Sequence, residues 1–241
     1  MSIAEKLTTI ANNMQLVKDA GKAQANDEFW DAFQEKGARN QYPYAFNNWG
    51  YEYIRPKYKV VPTTSHYSQM FYRNKNLKKV EAEYFDVSQI QMTDSQKTQS
   101  TYGNYYTFQF CYRLEEIEDI GLNDVGYSGT FHGCESLHTI AMLRSNENTT
   151  FGSTPFNGCT SLVNIKFSDD SVIGKNLDIH SSPLNKASIE NIIGCLSETA
   201  SGKTLSLKQS AVEAAFSNDE WIELITPISN QYNGNWTISL S

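Results

Sequence analysis

The chain has 241 residues, of which 39% are hydrophobic and 20% charged, with a formal net charge of −7. This apolar content excludes a wholly disordered chain, and the negative charge argues against general binding to nucleic acid or anionic membranes. No apolar run approaches the roughly 20 residues of a transmembrane helix, and the first residues lack the apolar core of a cleaved signal peptide. We therefore expect no membrane insertion and no export by such a signal.

The first 40 residues carry helical patterns. Apolar residues recur there with the 4-3-4-3 spacing of a coiled-coil seam: Ile3, Leu7, Ile10, Met14 and Val17. An isolated helix of this length is marginal in water, so it needs a partner. We assign residues 1–40 to a helical segment for anchoring or oligomerisation, and docking onto the chain's own domain is the alternative.

Residues 41–64 form an aromatic-rich segment that leads into the next domain. Its prolines exclude a long helix and favour loops and short strands.

Exposed tyrosines offer a large contact area with a polar end, which suits sugars and proteins. The candidate binding surface consists of Tyr51, Tyr53, Tyr102, Tyr105 and Tyr106. The alternative is that these rings pack the start of the following domain and hold the N-terminal helices onto it.

Self-similarity is the strongest signal in the sequence. Four segments align without gaps on the pattern Phe-x-x-[Cys/Asn]-x-x-Leu-x-x-[Ile/Val]: Phe71–Val80, Phe108–Ile117, Phe131–Ile140 and Phe156–Ile165. Their leucines are 37, 23 and 25 residues apart, and the last two spacings fall within the roughly 20–29 residues of leucine-rich repeats. The longer first spacing predicts an insertion near residues 88–104.

Three cysteines occupy one position of this pattern, namely Cys111, Cys134 and Cys159. A stack of repeats would place them at the inner side of a turn, where a small apolar side chain with a weak donor fits. Their intervals and the lack of an accompanying CxxC or HxxxH pair argue against a metal site. We expect these cysteines to be structural, and Cys195 to be buried in a helix.

Two stretches make the pattern resemble a known family. Residues 155–165, followed by 170–174, are similar to the BspA-like leucine-rich repeat, and residues 130–137 give a second match. The first two segments depart from it, because Asn74 replaces the cysteine and neither segment has the preceding glycine. The resemblance implies a solenoid of about four short repeats over residues 65–178. Such repeats occur in bacterial surface proteins and phage virion proteins, where they mediate attachment without shared catalytic residues.

The remaining residues, 179–241, change to an α/β pattern that we assign to a C-terminal cap. From the end of the repeat domain onwards, the pattern predicts strands at 177–179, 204–207 and 236–240, and helices at 186–196 and 210–224. The expected fold class is therefore α/β: a leucine-rich-repeat solenoid with N-terminal helices and an α/β cap.

Catalytic motifs are weak. Gly202-Lys203-Thr204 lacks the first glycine of a P-loop and precedes a strand. An acidic run, residues 115–119, is typical of a solvated face and less so of the carboxylate pair of a glycosidase. We therefore predict no enzyme activity, no cofactor and no metal, with a polysaccharide-degrading enzyme as the least favoured alternative.

The expected function is that of a virion adhesion protein, namely a phage tail, baseplate or fibre component. Its partners would be other virion proteins or further copies of itself, of which a trimer is one candidate, and a glycan or protein on the host cell surface. The alternative is a bacterial leucine-rich-repeat binding module or surface adhesin, located in the cytoplasm or at the cell surface.

Overall fold

The computed structural model describes residues 46, 50–56, 59–61, 68–90, 103–124, 126–152, 154–232 and 234–241. Over these residues the fold is mixed α/β, with a four-stranded and a three-stranded parallel sheet and three α-helices. The two sheets follow one another along the chain, and the helices belong to its C-terminal third.

The first sheet contains one short strand from each of the four aligned segments. These are β1 (Lys79–Val80), β2 (Glu116–Ile117), β3 (Thr139–Leu143) and β4 (Asn164–Phe167), paired in that order and all parallel. The register joins the last position of each segment: Val80, Ile117, Ile140 and Ile165. These side chains are at most 3% exposed, so the sheet buries one face while its other face carries polar residues.

A row of phenylalanine rings runs beside the sheet. Each ring stacks on the next with centroids 5.2–5.8 Å apart, in the order Phe46, Phe71, Phe108, Phe131 and Phe156. The four leucines of the aligned segments are fully buried alongside them. Burying a side chain of this size stabilises the fold by roughly 1.5–3 kcal/mol, so these two rows form the core.

Phe46 shows that the same contacts begin before the first aligned segment. Its backbone nitrogen donates to Met70 O at 2.8 Å, as the nitrogen of Phe71 does to Thr107 O at 3.0 Å. Further along, Lys78 N donates to Glu52 O, and Ile54 is buried at 2% exposure.

The second sheet consists of β5 (Leu177–Asp178), β6 (Lys203–Leu207) and β7 (Trp236–Leu240), in that order and parallel. Helix α1 (Lys186–Gly194) lies between β5 and β6 in the chain and packs on β4. Helices α2 (Gln209–Ala215) and α3 (Asn218–Ile225) connect β6 to β7, and a 3-10 turn at residues 230–232 precedes the last strand.

The single helix expected at residues 210–224 is wrong, because two helices occupy this region. Phe216 is extended (φ −132°, ψ 142°) and buried, which ends α2. Ser217 then starts α3 with a capping box: its hydroxyl accepts from Glu220 N, and the Glu220 carboxylate accepts from Ser217 N. The serine and glutamate three residues apart are the sequence signal for this boundary.

Candidate functional site

The turns that precede the strands contain backbone in the left-handed region. In the first two segments the residues there are not glycine: Gln69 (φ 61°), Arg73 (φ 57°), Tyr106 (φ 53°) and Phe110 (φ 62°). In the next two segments glycines occupy corresponding places: Gly129 (φ 60°), Gly133 (φ 75°) and Gly158 (φ 81°). Left-handed backbone costs a non-glycine residue roughly 1–2 kcal/mol, so the first two turns hold strain that the later ones avoid.

The glycines also leave room for the rings of the second segment. A Cβ atom on Gly129 would lie 2.1 Å from Tyr106 Cε1, and one on Gly133 would lie 2.7 Å from Phe110 Cδ1. Both distances are too short for any side chain. Tyr106 and Phe110 therefore pack closely against the backbone of the third segment at Gly129 and Gly133.

We call the group Tyr72, Arg73, Phe110, Tyr112 and His132 the aromatic ridge. Phe110 is at its centre, with ring centroids 6.2 Å from Tyr72, 5.9 Å from Tyr112 and 5.3 Å from His132. The rings are half-buried and Arg73 is exposed. The ridge therefore presents aromatic surface and one guanidinium group to solvent.

Arg73 differs from the other arginines in its electrostatic surroundings. Of the four arginines in the described residues, the other three each pair with a carboxylate: Arg55 with Glu81, Arg113 with Glu52 and Arg144 with Asp119. Arg73 instead lies over two rings, with Cζ 5.0 Å from the centroid of Tyr72 and 5.8 Å from that of Phe110. Its guanidinium has no carboxylate partner among the described residues.

On the polar face of the first sheet, by contrast, charged side chains near the N-terminal end pair with one another. Lys79 Nζ lies 2.7 Å from Glu118 Oε1 and 3.2 Å from Glu116 Oε2. The hydrogen bond from Lys79 lowers the pKa of Glu118, and the one from Arg144 lowers the pKa of Asp119. These carboxylates are therefore ionised at neutral pH and are unsuited to act as general acids.

Further along this face an open groove of about 390 Å³ lies between β3, β4 and α1. Its polar lining is also mutually bonded: Asn185 Nδ2 donates to Asn164 Oδ1 at 2.6 Å, and Asn164 Nδ2 donates to Thr139 Oγ1 at 3.3 Å. The groove therefore offers fewer uncommitted polar groups than the ridge.

The tyrosines expected to bind lie in two places. Tyr51 is half-buried against the core and Tyr53 is 40% exposed. They flank Glu52, whose carbonyl accepts a hydrogen bond from Lys78 N, just before β1. Tyr105 and Tyr106 stack on each other with centroids 3.8 Å apart at a turn near the ridge. Tyr102 and the proposed anchor residues, Ile3, Leu7, Ile10, Met14 and Val17, lie outside the described residues.

The central residues of the ridge, Arg73 and Phe110, are absent from the sequence-based selection. Both occupy the position before Asn74 or Cys111, where the third and fourth segments have glycine. That departure from glycine was the available signal. The left-handed backbone that sets these two residues apart is visible only in the structure.

The cysteines of the aligned segments lie inside the fold. The thiols of Cys111, Cys134 and Cys159 donate to the carbonyls of Phe71, Phe108 and Phe131 at 3.0, 3.0 and 3.1 Å. Burial raises the pKa of Cys111 and of Cys159 to about 12. Within the described ranges, no group of three or more His, Cys, Asp or Glu side chains is arranged to hold a metal ion.

No family model, curated protein or solved structure matches the chain. Among the helices of the described residues, none combines the length and apolar character that crossing a bilayer requires.

Proposed function

We propose that this chain is a non-enzymatic binding protein, built on a leucine-rich-repeat solenoid, that attaches to its target through the aromatic ridge. The proposal rests on one observation, that Arg73 and Phe110 place bulky side chains on left-handed backbone. Strained backbone of this kind tends to occur at functional sites, and partly exposed aromatic and arginine side chains contribute most of the free energy of many interfaces.

The solenoid is supported by contacts that recur between neighbouring segments. Each of the three thiols bonds to the phenylalanine carbonyl of the preceding segment, and Asn74 Nδ2 does the same to Phe46 O at 3.2 Å. The phenylalanine and leucine rows are continuous through all four segments. A solenoid has this property, since each repeat contacts its neighbours in the same way.

The resemblance to BspA-like repeats favours a location in a phage particle, as a tail, baseplate or fibre component. Partners within the particle, or further copies of the chain, would be held by the N-terminal heptad pattern, and the repeats would contact the host. A bacterial adhesin would bind in the same way but would reside at the cell surface. Immunogold labelling of particles induced from the source strain separates the two, since an adhesin would label cells and leave particles unlabelled.

The non-enzymatic assignment is supported by the state of the acidic groups. Glu118 and Asp119 each face a basic partner whose hydrogen bond lowers the pKa of the carboxyl group, whereas the acid of a glycosidase needs a raised pKa. Release of reducing sugar from bacterial polysaccharides by the purified chain would refute this assignment.

Binding to intact cells tests the ridge directly. We expect fluorescently labelled full-length protein to bind cells of its host and the Phe110→Gly variant to bind at least tenfold less, because the central ring is lost while glycine suits φ 62°. Lys166→Ala, on the exposed sheet face, is the matched control and should bind normally. Equal binding by Phe110→Gly and the wild type would show that the ridge is not the attachment surface.

A further inference from the structure

We infer that the aromatic ridge recognises a carboxylate-bearing sugar, and that the guanidinium of Arg73 binds the carboxylate. This inference rests on the proposed function, because it takes the ridge to be a binding surface. It adds the chemical class of the ligand and the residue that selects it.

The position of Arg73 suits an anion. Its side chain is exposed, lies over Tyr72 and Phe110, and has no carboxylate partner among the described residues. Contact with these two neighbouring rings restricts the side chain before the ligand arrives, which lowers the entropy lost on binding. A planar guanidinium held in this way can form two parallel hydrogen bonds with a carboxylate.

The backbone at Arg73 supports a role for its side chain. Its φ of 57° and its hydrogen bond from N to Gln109 O at 2.8 Å are matched at Gly133, where φ is 75° and N donates to Asn157 O at 2.8 Å. Glycine therefore forms the same turn without strain. An arginine there costs stability, and its fixed guanidinium is the feature that glycine would lack.

The rings beside Arg73 favour a sugar over an acidic peptide. Phe110 and Tyr112 are half-buried, with ring centroids 5.9 Å apart and planes inclined by 32°. Partly exposed aromatic rings offer a large apolar contact area and, in tyrosine, a polar end. The C–H faces of a pyranose ring can pack on such rings, whereas a chain of Asp and Glu residues offers them no apolar face.

Charge limits the ligand further. The chain carries a net charge of −7, which disfavours a densely charged polyanion. Near the ridge, however, Arg73 and Lys75 are both exposed and would attract an isolated negative group. One carboxylate per contacted sugar, as in sialic or uronic acids, fits this combination.

Isothermal titration of the full chain with sialyllactose, trigalacturonate and neutral lactose tests the inference. We expect binding to at least one of the two carboxylate sugars and none to lactose. Arg73→Gly should weaken that binding roughly tenfold or more, the effect of losing one charge-assisted contact. The same variant should melt at an equal or higher temperature, because glycine relieves the left-handed strain.

Gln69→Gly is the matched control. Gln69 has φ 61°, so this variant relieves similar strain while keeping the guanidinium, and its affinity should equal that of the wild type. Failure of both carboxylate sugars to bind, or unchanged affinity in Arg73→Gly, overturns the inference. Equal competition by poly-glutamate would also overturn it, in favour of an acidic peptide.

These outcomes are distinct from failure of the proposed function. Loss of cell binding in Phe110→Gly without any binding of carboxylate sugars would leave the ridge as the attachment surface and refute only the ligand class. Unchanged cell binding in Phe110→Gly would refute the ridge itself.

Discussion

Helix α1 covers the open edge of β4 with side chains where a further strand would otherwise pair. Phe167 N donates to Asn191 Oδ1 at 2.6 Å, and Asn191 Nδ2 donates to Phe167 O at 3.1 Å. Ser188 Oγ likewise accepts from Ile165 N at 3.0 Å and donates to Val163 O at 3.2 Å. Two side chains thus satisfy four backbone groups at this edge, which would otherwise be a template for pairing with another chain.

Replacing Asn191 with alanine removes two of these bonds and leaves the backbone of a fully buried phenylalanine without partners. A hydrogen bond contributes about 0.5–1.5 kcal/mol net, and an unsatisfied buried group costs at least as much. We therefore expect Asn191→Ala to lower the free energy of unfolding by about 1–3 kcal/mol.

Urea denaturation followed by circular dichroism measures this difference. Glu190→Ala is the control, because Glu190 is the exposed neighbour on the same helix, and it should change stability by less than about 0.5 kcal/mol. If Asn191→Ala and Glu190→Ala unfold at the same urea concentration, the side chain of Asn191 does not act as a substitute strand, and the reasoning is wrong.

Three further predictions concern the turns, the thiols and the C-terminal helices. Gly129→Ala should destabilise the protein by about 1–3 kcal/mol, because φ is 60° and the ring of Tyr106 fills the space for a side chain. The control, Gly194→Ala, lies in open space at the end of α1 and should be neutral or stabilising; thermal melts measure both. Burial and a pKa of about 12 should protect Cys111 and Cys159 from a thiol reagent at pH 8 until denaturant is added, and rapid labelling of the native protein would contradict this. Hydrogen bonds from Lys186 and Ser217 lower the pKa of Glu220 from 4.5 to about 2. The stabilisation from this carboxylate is therefore present above pH 4.5 and is lost as the pH falls towards 2. The stability difference between the wild type and Glu220→Gln should shrink over that range.

The buried rows could be predicted because one pattern with a fixed internal spacing occurs four times. Each Phe, Leu and Ile of that pattern is buried, as its chemistry alone suggests. The segment that begins at Phe46 does not align with the others in sequence, for two physical reasons. The carbonyl of Glu52 accepts a hydrogen bond from Lys78 N, as the carbonyl of Lys78 does from Glu115 N one segment later. Tyr51, which precedes Glu52, therefore occupies the position that leucine has in the other segments. It is also one residue closer to Phe46 than Leu77 is to Phe71.

The ridge could not be predicted, because the property that distinguishes its residues is their backbone conformation. Arg73 and Phe110 look like ordinary substitutions of a glycine until their φ angles are known to be positive. The aromatic content led to five tyrosines. Tyr51 and Tyr53 lie beside β1, Tyr105 and Tyr106 lie at a turn near the ridge, and Tyr102 lies outside the described residues. Composition points to aromatic residues, whereas the turn geometry distinguishes Arg73 and Phe110 from the other residues of their segments.

A double-mutant cycle between Phe110 and Gly133 tests whether the ridge and the glycine backbone form one unit. Gly133→Ala alone should destabilise for two reasons: its φ is 75°, and the new Cβ would lie 2.7 Å from Phe110 Cδ1. In a Phe110→Gly background the second reason disappears while the first remains. The double variant should therefore be more stable than the sum of the single effects predicts, by about 0.5–3 kcal/mol. Strict additivity in urea titrations would mean that Phe110 does not rest on Gly133, and that the ridge is a loose set of rings with no fixed geometry for a ligand.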